Sequence, residues 1–263
     1  MIGLGSFAYF WQHSDRVPNP LTLIEELEDT REQGVELFQI CDYAPLEHFS
    51  DAQLRETAAA ARDLGITLEV GTRGIRAAHL ARFLEIAQAL DARFVRSMFT
   101  SGDDRPTLDE ARRELESAMP AYEAAGVQLG LETYEQLATK DHVGLVDSVG
   151  SANLRICLDP ANVVARLDNP RDCVELTAQR TLGIHVKDFA FTRHAGWVGF
   201  EYLGAPMGSG QHDYPHLLET VNPRERGLNE IVEHWLPWQG DAETTIRIER
   251  EWTRTTLEYL RSI

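Results

Sequence analysis

Four short segments of the chain carry, at or near their ends, a residue that can bind a metal ion. "VQLGLE" ends on Glu132 and "LRICLD" on Asp159, while "LGIHVK" carries His185 and "NEIVEH" carries Glu233. Apolar residues alternate with other residues in these segments, as they do along a strand. Three carboxylates around one opening repel one another unless a proton or a cation compensates them. A divalent cation would do so directly, and oxygen ligands with one nitrogen suit Mg²⁺ or Mn²⁺ and tolerate Co²⁺ or Zn²⁺.

Basic residues near predicted strand ends indicate an anionic group on the substrate. Lys187 stands one pleat beyond the histidine of "LGIHVK", and Arg73 and Arg96 follow or end other strand-like segments. Arg193 lies in the long irregular stretch between the last two predicted strands. A basic side chain beside a metal ion would hold a carboxylate or a phosphate. For Arg73 and Arg96 the alternative is a surface or helix-capping ion pair.

Two further polar side chains are candidates for binding substrate hydroxyls. Glu69 points inwards by the alternation of "TLEVG", although a polar network that fills the interior is an equal alternative. Asn162 would hold a hydroxyl or cap the turn after Pro160. The "GSG" at 208–210 resembles a phosphate-binding turn, but no helix follows it at once and a plain turn is the simpler interpretation.

Strand-like and helix-like segments alternate along the whole chain. The predicted strands are Ile2–Tyr9, Val35–Ile40, Thr67–Gly71, Arg93–Met98, Val127–Glu132, Leu154–Asp159, Leu182–Asp188 and Asn229–His234. Amphipathic helices separate them, one capped at Asn19 and Pro20, one starting at Ser50, and one carrying Pro120, where a kink is expected. Eight such units predict one (β/α)₈ TIM barrel, an α/β fold, over residues 1–263. A doubly wound sheet is disfavoured because no glycine-rich turn follows the first strand.

The composition bounds the partners of the chain. Its 25 basic and 42 acidic residues give a net charge of −17, which disfavours nucleic acid and anionic membranes as partners. Three cysteines without a C-x-x-C pair make a disulfide framework improbable. The N-terminus lacks the pattern of a signal peptide, and no apolar run is long enough to span a membrane. We therefore expect a cytoplasmic protein with a small-molecule substrate. A homo-oligomer is compatible with the sequence, but no interface is legible in it.

Several pieces of the chain resemble the xylose isomerase-like TIM barrels, the sugar phosphate isomerase/epimerase superfamily. They are "GLGSFAY", "LGLET", "ICLDPANV", "IHVKDF", "APMGSGQHDYP" and "IVEHW", and the likeness covers essentially the whole chain. The resemblance implies that Glu132, Asp159, His185 and Glu233 bind one divalent ion. It also implies that two carboxylates of this set, for which we take Glu132 and Glu233, act as acid and base.

The chain departs from the pattern of the ketose epimerases in this family. Those enzymes carry a histidine where this chain has Asn162, and often a glutamate where it has Gln39. The pieces "HVKDFAFTR", "GSGQHDYP" and "EREWTRTTLEYLR" also resemble a branch similar to 3-oxoisoapionate decarboxylases, which act on a branched sugar acid. Both departures weaken the expectation of ordinary sugar epimerisation.

The likeness implies a metal-dependent isomerase or epimerase of a small sugar, ketose or sugar acid, working through an enediolate that the ion stabilises. A decarboxylase of a 3-oxo sugar acid is the second hypothesis, with Lys187 holding the carboxylate. A DNA-repair endonuclease is disfavoured by the net charge and the scarcity of candidate histidine ligands. A non-catalytic sugar-binding barrel is the remaining alternative.

Overall fold

Eight parallel strands close into a barrel in a computed structural model that describes residues 1–263. The order around the barrel is β1-β10-β7-β6-β5-β4-β3-β2, and β1 pairs with both β10 and β2 to complete the ring. The strands in chain order are β1 (Ile2–Gly5), β2 (Leu37–Ile40), β3 (Thr67–Gly71), β4 (Phe94–Ser97), β5 (Gln128–Glu132), β6 (Leu154–Leu158), β7 (Thr181–Val186), β8 (Asp188–Arg193), β9 (Phe200–Ala205) and β10 (Asn229–Val232). Strands β8 and β9 form a separate antiparallel hairpin outside the barrel. The predicted barrel is confirmed.

Eight helices follow the strands and surround the barrel. They are α1 (Leu23–Glu32), α2 (Asp51–Leu64), α3 (Ala77–Ala89), α4 (Leu108–Ala125), α5 (Thr139–Val149), α6 (Pro170–Thr177), α7 (Tyr214–Val221) and α8 (Ala242–Ser262). Capping boxes start α1, α2 and α4, at Thr22, Ser50 and Thr107, because each cap side chain and the residue three positions on satisfy free backbone N–H groups. None of the eight is long and apolar enough to cross a membrane.

The barrel interior is filled by alternate residues of its strands. Phe94 of β4 reaches across the interior, and a Cβ on Gly130 of β5 would lie 2.6 Å from its ring. Gly183 of β7 faces the same ring. Residues of opposite parity, such as Leu129 and Leu131, are fully buried and belong to the apolar core. Because these outward-facing residues supply the apolar core, the inward-facing residues at the carboxyl ends of the strands can be polar. The carboxyl end is the catalytic face of such barrels.

Three local predictions are wrong. The first strand ends at Gly5, because residues 6–9 form a 3₁₀ turn. The first helix is capped by Thr22 and not at Asn19 and Pro20, since only Thr22 is followed by a glutamate that completes a capping box. The long segment predicted as irregular holds the β8–β9 hairpin. Pro120 lies inside α4, as expected, and the helix continues past it. The kink at Pro120 stays a prediction.

Candidate metal centre

The predicted metal ligands come together at the carboxyl ends of β5, β6, β7 and β10. We call Glu132, Asp159, His185 and Glu233 the ligand cluster. Ligand atoms of Glu132, Asp159 and His185 lie within 4.8 Å of one another. Glu233 lies beside these three residues: its Oε1 is 3.2 Å from Nδ1 of His185. All four side chains are buried, with at most 2% of any residue exposed.

Three atoms of the ligand cluster lack a hydrogen-bond partner although they are fully buried. They are Asp159 Oδ2, His185 Nδ1 and Glu233 Oε1. Buried polar atoms are nearly always satisfied, so three open atoms on neighbouring residues indicate a place for a missing group. The open set offers two carboxylate oxygens and one imidazole nitrogen. These residues therefore fit a divalent cation, which would satisfy all three atoms together.

Lys187 lies among the ligands instead of standing above them. Its Nζ is 2.7 Å from Glu233 Oε2, to which it donates a hydrogen bond, and 2.7 Å from Asp159 Oδ2, which it approaches without hydrogen-bond geometry. The ring of Trp235 stacks under the ammonium at 4.6 Å. Burial lowers the pKa of Lys187, but the charges of Asp159 and Glu233 outweigh it and leave the pKa above its ordinary value. The ammonium is thus an internal counter-ion of the ligand cluster.

The pKa values of the carboxylates differ because their partners differ. Burial raises the pKa of Asp159 to about 6, and Lys187 opposes the rise. Burial also opposes ionisation of Glu132, but Arg96 outweighs it and leaves the pKa well below its usual range. For His185 burial lowers the pKa, and the neighbouring Cys157 and Glu233 raise it above its ordinary value. Glu132 is therefore a weak base in this environment.

A second group of charges borders the ligand cluster at the ends of β2, β3 and β4. We call Asp42, Arg73 and Arg96 the arginine network. Arg96 Nε donates to Glu132, and its Nη1 donates to Asp42 Oδ1 at 3.1 Å. Arg96 is only 3% exposed, so the alternative of a surface or helix-capping pair is wrong for this residue. Its inward position on β4 carries it into the centre.

Arg73 occupies the outer end of the arginine network. Its Nε and Nη2 both donate to Asp42, each at 3.0 Å, and its side chain is about half exposed. The positive φ of Asp42, 52°, turns its carboxylate towards both arginines. Arg73 and Asp42 line a cavity of about 380 Å³ with Thr72 and His79. The surface ion pair considered for Arg73 is therefore present, beside a space that a ligand could enter.

Asn162 contacts the ligand cluster directly. Its Nδ2 donates to Glu132 Oε1 at 2.6 Å and to the carbonyl of Thr133 at 3.2 Å, and the residue is 2% exposed. The amide thus holds Glu132 from one side while Arg96 holds it from the other. Asn162 is buried beside the ligands, where it could reach a bound substrate.

Glu69 occupies the interior of the barrel and not its catalytic face. Its Oε1 accepts from Asn229 Nδ2 at 2.5 Å, and its Oε2 accepts from Gln39 Nε2 at 2.9 Å. Glu69 and Asn229 line a cavity of about 310 Å³ at the amino ends of the strands. Both oxygens are occupied by protein donors, so the alternative of a barrel-filling polar network describes Glu69 and the substrate contact does not.

The hairpin of β8 and β9 covers the ligand cluster. Tyr202 of β9 donates its hydroxyl to the carbonyl of Ala161 at 2.7 Å and packs against Trp235. At the far end of the hairpin, Arg193 is exposed and its guanidinium lies over the rings of Trp197 and Phe200, 4.6 and 4.3 Å from their centroids. Arg193 therefore lies at the exposed end of the hairpin, and its contact with a substrate stays a prediction.

The "GSG" turn binds a carboxylate of the protein itself. Gly208 N and Gly210 N donate to Asp188 Oδ2 at 2.9 and 2.8 Å, and His212 N donates to Asp188 Oδ1 at 2.9 Å. A Cβ on Gly210 would collide with this carboxylate. The turn fixes the base of the hairpin directly after Lys187 and leaves no room for a phosphate.

Three site residues were not expected from the sequence: Asp42, Tyr202 of the hairpin, and Trp235, which follows β10. Asp42 lies two positions beyond the carboxyl end of β2, in a turn whose left-handed backbone gives no alternation signal. The aromatic pair comes together only because the hairpin folds back over the barrel. A polar residue within two positions of a strand end is the one signal that would have included Asp42.

Comparisons with known proteins agree with this architecture. The model of one protein family, described as the xylose isomerase-like TIM barrel, matches residues 27–262. The chain belongs to the xylose isomerase-like TIM barrel family. The family is the one expected from the sequence, and the match covers nearly all of the barrel.

A curated relative and two solved structures show how far the likeness extends. The 3-oxo-isoapionate decarboxylase of Pectobacterium atrosepticum is 53% identical over 259 residues, which cover 98% of this chain and 94% of the relative. A D-psicose 3-epimerase of Clostridium cellulolyticum H10, solved with D-tagatose, superimposes with a TM-score of 0.76 at 15% identity, covering 100% and 98% of the two chains. A xylose isomerase-like TIM barrel protein of Mycobacterium smegmatis, solved with magnesium, has a TM-score of 0.72 at 16% identity, covering 97% and 95%. The two solved structures share the fold.

Proposed function

We propose that the chain is a divalent-metal-dependent decarboxylase of a 3-oxo sugar acid related to 3-oxo-isoapionate. The observation that carries this proposal is the 53% identity to a 3-oxo-isoapionate decarboxylase over nearly the full length of both chains. It favours the second of the two activities expected from the sequence. An enzyme that acts on a sugar-like substrate is common to both hypotheses.

The charges around the centre support an acidic substrate. Lys187 and Arg96 are both buried against carboxylates of the ligand cluster. A divalent ion added to this set would leave surplus positive charge, which a substrate carboxylate can compensate. A neutral sugar offers no such compensation. We therefore assign Lys187 to the substrate carboxylate, with Arg96 contributing to the same positive field.

The state of Glu132 disfavours epimerisation. An epimerase needs a base on one side of the reacting carbon, and a good base has a pKa near the working pH. The pKa of Glu132 is held well below its usual range by Arg96 against the effect of burial, and its two oxygens accept from Arg96 and Asn162. Decarboxylation needs no base to begin. Its demands are an electron sink, a grip on the carboxylate and a proton donor for the product.

A divalent ion held by Glu132, Asp159, His185 and Glu233 would supply the Lewis acid that draws electrons towards the 3-oxo group. Lys187 would orient the carboxylate so that the bond to CO₂ stands perpendicular to the plane of the carbonyl, where its electron pair can enter the carbonyl π system. The electron pair of that bond moves into an enediolate, CO₂ leaves, and the carbon then takes up one proton. Glu233 and Lys187, joined at 2.7 Å, form the route for that proton. Tyr202 and Trp235 would keep water from the reacting carbon.

Two products distinguish the hypotheses in one assay. The protein is incubated with a 3-oxo sugar acid, labelled with ¹³C in the carboxyl group, in D₂O with Mn²⁺ or Mg²⁺ and then with a chelator. Decarboxylation predicts labelled CO₂ with metal and almost none after chelation. Epimerisation predicts deuterium in the intact acid without CO₂. Deuterated intact acid as the main product would overturn the proposed decarboxylation, and CO₂ release that survives chelation would overturn the metal dependence.

A further inference from the structure

A chain of hydrogen bonds connects the amino end of the barrel to the metal-binding histidine. Asn229 and Gln39 each donate an amide N–H to the carboxylate of Glu69, at 2.5 and 2.9 Å. His185 Nε2 lies 2.8 Å from Gln39 Oε1. Gln39, Glu69 and His185 are buried, with 0%, 5% and 0% exposure. We call Glu69 and Gln39 the relay.

The direction of each bond follows from the acceptor at its centre. Both oxygens of Glu69 accept amide N–H groups, so Gln39 turns its NH₂ towards Glu69 and its oxygen towards His185. An amide oxygen also only accepts, so His185 Nε2 must carry a hydrogen. In the neutral ring, the form that binds a metal ion, the lone pair is then on Nδ1. That atom has no partner within the protein and lies 3.2 Å from Glu233 Oε1 and 3.6 Å from Glu132 Oε1.

We infer that Gln39 and Glu69 are positioning residues that fix the tautomer of His185, so that Nδ1 faces the divalent ion. Histidines that bind metals commonly donate their other ring N–H to a neighbouring acceptor, and loss of that acceptor typically costs about 10- to 100-fold in metal affinity. Here the acceptor is the side-chain amide of Gln39, and its hydrogen bond to Glu69 sets the orientation of that amide. This inference rests on the proposed metal centre and is independent of the proposed decarboxylation.

The relay acts without touching the substrate. Glu69 borders the cavity at the amino ends of the strands, opposite the catalytic face. Gln39 is fully buried between Glu69 and His185. A change in the relay should therefore alter metal binding directly, and substrate binding only through the metal.

The tautomer is measured first in the unaltered protein. The protein is labelled with ¹⁵N-histidine and loaded with Zn²⁺, which is diamagnetic, and the His185 signals are identified by their absence from His185→Gln. We expect a hydrogen on Nε2 and a zinc-shifted Nδ1. A hydrogen on Nδ1 with zinc on Nε2 would overturn the relay but keep the metal centre. Failure of Zn²⁺ to bind would contradict the metal centre itself. This measurement needs no folded variant of the relay.

An exchange of the two relay residues supplies the second test. Gln39→Met removes the acceptor at similar volume, and we expect Zn²⁺ affinity by calorimetry to fall about 10- to 100-fold, with both tautomers populated. In the double variant Gln39→Glu with Glu69→Gln, the carboxylate and the amide exchange positions, and every donor again has an acceptor. The new glutamate accepts from His185 and from the new glutamine, whose oxygen accepts from Asn229. It should recover most of the lost affinity and the Nε2–H tautomer.

A matched control separates positioning from simple packing. Gln12 is also buried, and its side chain binds Arg250 on α8. Gln12→Met should leave the zinc affinity and the His185 spectrum unchanged. Gln39→Met with the affinity and the tautomer of the parent would overturn the inference, as would a double variant that binds zinc no better than Gln39→Met.

Discussion

The two sides of the barrel mouth carry charge in different ways. The ligand cluster, on β5, β6, β7 and β10, keeps three buried atoms without hydrogen-bond partners. The arginine network, on the β2, β3 and β4 side, has paired all of its carboxylate oxygens with guanidinium groups. One side is therefore complete as it stands, and the other is complete only with an added group. Both groups are largely buried, so the property that distinguishes the ligand cluster from the arginine network is its open polar atoms.

The largest effect is expected from the ligand cluster. Asp159→Asn removes one charge and one ligand oxygen, and we expect CO₂ release to fall on the order of 10³-fold, since Lewis-acid stabilisation is worth several kcal/mol. Mn²⁺ binding by calorimetry should be lost in parallel. Asp147→Asn, which alters an exposed aspartate paired with Arg180, is the control and should keep both properties. An Asp159→Asn protein with parental metal affinity would contradict the assignment.

The arginine network should matter most for stability. Arg96→Met leaves Glu132 and Asp42 without their shared buried partner, and we expect the free energy of unfolding to fall by about 3–5 kcal/mol. Urea unfolding followed by circular dichroism measures the change. The control is Arg93→Met, the same change at an exposed arginine directly before β4. A loss for Arg96→Met no larger than that for Arg93→Met would remove the distinction between the two sides.

Removal of Lys187 should change the two proposed properties of the ligand cluster, CO₂ release and Mn²⁺ affinity, in opposite directions. Lys187→Met should lower CO₂ release about 10- to 100-fold, because a hydrogen bond to a charged group contributes about 1.5–3 kcal/mol. It should raise Mn²⁺ affinity, because the ammonium no longer competes for Asp159 and Glu233. Lys140→Met alters the other lysine of the chain, which is exposed, and should change neither. Weaker Mn²⁺ binding by Lys187→Met would show that Lys187 supports the ion instead of competing with it.

The smallest effect belongs to the outer arginine and depends on pH. Burial raises the pKa of Asp42, but Arg96 and Arg73 outweigh it and leave the pKa below its ordinary value of 3.8. A lowered carboxylate pKa stabilises the fold above the unfolded value and is lost as the pH falls through the folded value. Arg73 is half exposed, so Arg73→Met should cost only about 0.2–1 kcal/mol at neutral pH.

Unfolding of parent and Arg73→Met between pH 7 and pH 3 measures this dependence. The difference in unfolding free energy should be constant near neutrality and should shrink below about pH 4, as Asp42 becomes protonated in both proteins. A difference that grows as the pH falls would contradict the assigned sign.

Much of the fold was predictable because strands and helices leave periodic signals. The alternation in "VQLGLE", "LRICLD" and "LGIHVK" placed Glu132, Asp159 and His185 on the inner face, and the structure brings their ligand atoms together. Glu233 followed from the same logic, although β10 ends one residue before it.

The remaining contacts depend on geometry that a linear pattern does not carry. Parity placed Glu69 inwards correctly, but it does not say at which depth of the barrel a side chain lies, and Glu69 lies at the amino end. A surface ion pair was the alternative for Arg96, because a charged residue at a strand end usually finds water. Arg96 is buried because Glu132 and Asp42 meet it from neighbouring strands. Lys187 was expected above the ligands, yet it lies between two of them.

We expect the ligand cluster to hold one divalent ion at the position now shared by its open atoms and Lys187. Crystals grown with Mn²⁺ and measured at the manganese absorption edge would reveal this ion. We expect one anomalous peak about 2.0–2.2 Å from ligand atoms of Glu132, Asp159, His185 and Glu233, with Lys187 turned away from Asp159. No peak among these residues, with Lys187 still between Asp159 and Glu233 at saturating Mn²⁺, would contradict it.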